Sequence, residues 1–74
     1  MQIRLTHLRP GEVARVIRLE GGRGFQRHLR TRGLREGKLI SLLTRQPRGP
    51  LVVKVDGIQL TLGRGMARKV VVEV

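Results

Sequence analysis

Cysteine, tryptophan and tyrosine are absent from this chain, phenylalanine occurs once, and only five residues are acidic. Each shortage removes a class of function. Without cysteine there is no disulfide and no thiolate metal site, a composition that fits a reducing compartment. With one aromatic, Phe25, there is no platform on which single-stranded bases could stack, and no aromatic groove for proline-rich peptides. No apolar run is long enough to span a bilayer, and Met1–His7 lacks the apolar core of a signal peptide, so the protein is expected in the cytoplasm.

What remains is basic and aliphatic. Sixteen Lys and Arg face five Asp and Glu, for a net charge of +11 over 74 residues. Such a balance attracts polyanions: nucleic acid, an anionic membrane or an acidic protein face. Hydrophobic content of 39%, mostly Leu and Val, supports one small folded domain over residues 1–74.

Read in order, the pattern is mainly β. Pro10-Gly11 marks a turn after Leu5–Arg9. Val13–Leu19 reads as a strand ended by Gly21, Gly22 and Gly24. Phe25–Arg32 is the one helix candidate: Phe25 and Leu29 share a face, Gly33 stands at the left-handed C′ position, and Leu34 can pack back on the last turn. Two helical turns cannot persist alone, so this helix must lie on the sheet. A turn at Glu36-Gly37 leads to a strand over Lys38–Arg45. Pro47 and Pro50 then make a loop.

The sharpest local signal is Asp56-Gly57 between Leu51–Val55 and Ile58–Leu62. This hairpin pairs Val55 with Ile58, Val53 with Leu60 and Leu51 with Leu62, putting six apolar side chains on one face. Gly63–Arg68, which includes Ala67, reads as a loop or single helical turn. Lys69–Val74 closes the chain with Val70, Val72 and Val74 on one face. About five short strands, one inserted helix and a second helical turn predict a small β-barrel, closed to avoid exposed edges.

Apparent catalytic and cofactor signatures fail on spacing. Gly33-Leu34-Arg35-Glu36-Gly37-Lys38 imitates a phosphate-binding loop, but its glycines are too close, no Ser or Thr follows Lys38, and the order is helix to strand. Gly22-Arg23-Gly24 and Gly63-Arg64-Gly65 lack the third glycine and the βαβ frame of a dinucleotide site. His7 and His28 read as solvated, and no pair among Glu12, Glu20, Glu36 and Asp56 has helical ligand spacing, so no metal or cofactor is expected. Ser41 and the four threonines have no adjoining base, and no enzyme activity is expected. The basic residues between Arg18 and Arg48 read either as a solvated face or as an anion-facing surface. Charge alone gives salt-sensitive, nonspecific nucleic-acid binding.

Four segments taken together resemble the FeoA domain family, the ferrous iron transport protein A group: Leu5-xx-Leu8-x-Pro10-Gly11-Glu12, Leu29-xxx-Gly33-Leu34-xx-Gly37, Pro47-x-Gly49-Pro50-Leu51 and Ala67-xx-Val70-x-Val72. The resemblance implies an SH3-like barrel and a non-enzymatic cytoplasmic accessory. The implied partner is a membrane ferrous-iron transporter with a cytosolic GTPase domain. The same module also occurs fused to metal-dependent repressors. This chain departs from the family pattern at His28, where arginine is usual, at Arg32, where an apolar residue is usual, and at Gly63, whose arginine falls one place later at Arg64. The expected partner surface is the helix and its flanks: Arg27, Leu29, Arg30, Arg32 and Arg35. Leu29 is counted on this surface as a half-exposed contact, while its spacing from Phe25 favours plain core. The competing reading is a basic barrel that binds nucleic acid. Self-association through an open barrel edge is a further expectation.

Overall fold

The computed structural model describes all residues, Met1–Val74. Six strands form one antiparallel sheet in the order β1-β6-β2-β3-β4-β5. The strands are β1 (Gln2–Arg4), β2 (Val13–Leu19), β3 (Leu39–Arg45), β4 (Leu51–Val55), β5 (Ile58–Leu62) and β6 (Val70–Glu73). Helix α1 (Arg23–Thr31) is inserted between β2 and β3, and a single turn, α2 (Arg64–Ala67), precedes β6. A 3₁₀ turn at Leu5–His7 follows β1. The strand missing from the sequence reading is β1, whose three residues, Gln2-Ile3-Arg4, offer one apolar position and too short an alternation to read, and which pairs with β6.

The sheet curls because two strands carry an extra residue. Register shifts between Val16 and Arg18 on β2, and between Leu42 and Thr44 on β3, bend the strands where a flat sheet would splay. The concave face holds the core, in which Leu5, Leu8, Leu34, Ile40, Leu42 and Leu51 have no exposed surface. The two outer strands, β1 and β5, are not ladder partners of each other. The Arg45 guanidinium at the end of β3 donates to the carbonyls of Thr6 (3.0 Å) and Leu8 (2.9 Å), tying the 3₁₀ turn that follows β1 to β3.

The predicted hairpin is present. Asp56 (φ 51°) and Gly57 (φ 80°) both adopt positive φ, and the pairs are Val55–Ile58, Val53–Leu60 and Leu51–Leu62. One of its six apolar residues does not join the core: Ile58, beside the hairpin turn at the tip of edge strand β5, is 60% exposed, whereas Leu60 and Leu62 further along the strand are buried. The closing strand differs in the same way. Val70 and Val72 are fully buried, whereas Val74 lies beyond β6 and is exposed. Val71, on the opposite face, is also buried; its register partners on the two flanking strands are Arg4 and Arg18, long side chains whose aliphatic stems can shield an apolar neighbour. Both guanidinium groups then engage Glu20, Arg18 at 3.1 Å.

Candidate functional site

Helix α1 is placed by its two ends. At the C-terminus Gly33 takes φ 95°, and the Leu34 and Gly33 amides donate to the carbonyls of Leu29 (2.9 Å) and Arg30 (3.0 Å), the paired bonds of a Schellman stop. A residue with a Cβ would resist this conformation. At the N-terminus, Gly22 offers no side-chain cap, and no acidic residue lies in the first turn. The helix nonetheless starts at Arg23, two residues earlier than Phe25. The Gly22-Arg23-Gly24 stretch, which reads as a strand break, is the helix entry.

Leu29 and Leu34 anchor the helix to the barrel, each with no exposed surface. Phe25 is only half-buried; its ring packs against the core and carries the Lys69 ammonium 5.0 Å from its centroid. The expectation that Leu29 is a half-exposed contact on the partner surface is thus corrected. It lies at the centre of the buried stripe, because a helix this short meets the sheet through very few positions and Leu29 is one of them.

The opposite face of α1 is polar throughout. Arg23, Gln26, Arg27, Arg30, Thr31 and, beyond the helix stop, Arg35 line an open depression of about 640 Å³. The structure thus brings together three of the expected residues, Arg27, Arg30 and Arg35. Arg32 does not line it; as the C-cap residue it is half-buried and turned out of the row. Arg23, Gln26 and Thr31 were missed by the sequence reading. The available signal was spacing: Arg23 stands four residues before Arg27, on the same face.

The charge on this face is largely uncompensated. Arg30 donates through Nη2 to both oxygens of Glu36, at 3.2 and 3.0 Å. The Glu36 carboxyl is held below the usual glutamate range, first by its own backbone N–H and then by Arg30. Arg23, Arg27 and Arg35 make no side-chain hydrogen bond or ion pair, and the other acids are engaged elsewhere. Glu12 accepts from the Arg9 amide (2.7 Å), Asp56 pairs with Lys38 (2.8 Å), Glu20 joins Arg4 and Arg18, and Glu73 meets the N-terminal ammonium. Glu20 is likewise held below the usual range, by its hydrogen bonds from Arg4 and then Arg18.

Histidine and carboxylate groups do not gather. No cluster of three or more His, Asp or Glu is formed, and His7 and His28 are both exposed and lie in different parts of the molecule. No helix is long and apolar enough to cross a membrane.

The fold and site define a class: a small SH3-like β-barrel carrying an inserted helix with a cationic outer face. The FeoA domain family matches residues 3–74, and the chain belongs to that family. It is 29% identical over 69 residues to a putative Fe(2+) transport protein A of Methanocaldococcus jannaschii, covering 93% of this chain and 83% of that protein. The crystal structure of an iron uptake regulatory protein (FeoA) superposes with a TM-score of 0.93 at 32% identity, covering 99% of this chain and 97% of that one. A manganese-dependent transcriptional repressor shares the fold alone, with a TM-score of 0.88 at 22% identity; the match covers 96% of this chain and 40% of the repressor.

Proposed function

We propose that this protein is a non-enzymatic, cytoplasmic accessory of ferrous-iron transport that binds the cytosolic part of a membrane transporter carrying a GTPase domain. One observation carries the reading: the chain matches a solved iron uptake regulatory protein over 97% of that protein's length. In that relative the barrel is almost the whole molecule, so what the relative does must be done by this barrel's surface. The α1 face, with Arg27, Arg30 and Arg35 exposed and little compensated, offers a partner a cluster of positive charge. Exposed guanidinium groups steer encounter and make binding fall as salt rises.

The test is affinity capture from native membrane and cytosolic extracts at near-physiological salt, with nuclease added. Retention of a membrane GTPase supports the accessory role. Loss of every partner on nuclease treatment moves the same arginines to the alternative, a nucleic-acid-binding barrel.

A further inference from the structure

The outer row of α1 has a regular geometry. Arg23, Arg27 and Arg30 stand at i, i+4 and i+7, spanning about 10.5 Å along the helix. Arg35 lies beside the row after the helix stop, and nothing lining the depression is apolar or acidic. Arg23 occupies the first helical turn, where the helix dipole disfavours a cation. The helix would be better served by an acid there, so this charge is not explained by folding. Arg30 meanwhile already grips a carboxylate, the molecule's own Glu36, through both oxygens.

We infer that this row is a receptor for an acidic polypeptide segment, a partner helix presenting carboxylates at the matching i, i+4 and i+7 spacing. The identity of the partner rests on the accessory reading above; the class of ligand rests on the row itself. A single phosphate ion needs donors that converge, and these guanidinium groups are strung along a helix, exposed and separate. The one anionic group that the fold itself sets on the row is a carboxylate, Glu36 on Arg30, and no aromatic lines the depression on which a base could stack. A carboxylate strip instead displaces Glu36 from Arg30 and takes its place. Glu36 is therefore an internal competitor that weakens the site until a longer acidic strip outbids it.

The probe is a labelled helical peptide with glutamate at i, i+4 and i+7, titrated into the full chain at about 0.15 M salt. Its glutamine counterpart and a short DNA duplex are the controls. Binding is read by anisotropy, and its location by amide shifts. The glutamate peptide is expected to move amides over residues 23–35, and the glutamine peptide to bind far more weakly. Arg27→Glu with Arg35→Glu should lower affinity about tenfold or more, and Glu36→Gln should raise it about threefold. Arg23→Glu should weaken the peptide while slightly raising the thermal midpoint, a combination that a purely structural arginine would not give. Equal binding of both peptides, shifts mapping to another face, tighter occupation of the row by the duplex, or no gain from Glu36→Gln would each overturn the inference.

The two readings fail separately. A double variant that loses the peptide but still captures the transporter overturns the acidic-segment receptor as the partner site and leaves the accessory role standing. A wild-type chain that binds the peptide at the row yet captures no transporter sinks the accessory role and leaves the receptor.

Discussion

Replacing Leu29 by alanine separates core from docking surface. The side chain is fully buried under α1, so the substitution leaves a cavity. Leu→Ala changes at such sites cost about 2–5 kcal/mol. For a 74-residue domain the whole stability is about 4–11 kcal/mol, so this one change removes a large fraction of it. A loss near 3 kcal/mol lowers the midpoint by roughly 12–24 °C in a domain of this size. The assay is thermal and urea unfolding followed by far-UV circular dichroism, because the chain has no tryptophan or tyrosine to report by fluorescence. Partner capture well below the variant's own midpoint should be nearly unchanged, since the residue reaches no surface. An unaltered midpoint together with lost capture would refute the reasoning and return Leu29 to the interface.

Three further outcomes follow from the fold. Arg45→Met keeps the aliphatic stem but removes two charged hydrogen bonds to the carbonyls of Thr6 and Leu8. It should cost about 2 kcal/mol and speed amide exchange over residues 5–9 before the rest of the sheet. Gly33→Ala, at φ 95°, should cost about 1–2 kcal/mol, measured by urea denaturation, with the damage centred on the end of α1. The third concerns pH: because Glu20 and Glu36 have lowered folded pKa values, their contribution is complete above the unfolded glutamate value near about 4.3. It is lost as pH falls through the lower folded values, so acid should destabilise the fold there, and Glu20→Gln should shallow that slope in a pH series of melts. An unchanged slope in the Gln variant would remove Glu20 from the account.

Local chemistry in the sequence was enough for much of the architecture. Asp56-Gly57 specified the β4–β5 hairpin and its register, since a slip of one residue turns five buried side chains to water. Gly33 and Leu34 specified where α1 ends, because the stop is built from neighbouring backbone groups. Four weak motifs in order pointed to the family that the whole-chain match establishes.

Tertiary structure decided what depends on distant partners. Strand β1 depends on its pairing with β6, and Val71 is buried on the outer face where it stands between Arg4 and Arg18 of two other strands. Ile58 and Val74 alternate correctly yet stay in water, because alternation assigns a face but not whether anything lies against it. Leu29 is core and not contact for the same kind of reason: the helix has one face for the barrel, and the barrel takes Leu29. Its other face then belongs to Arg23, Arg27, Arg30 and Arg35. The sequence contains these four arginines, but only the folded helix aligns them into a row, and only the folded chain shows that its few acids are already engaged elsewhere or, in Glu36, held at one end of that row.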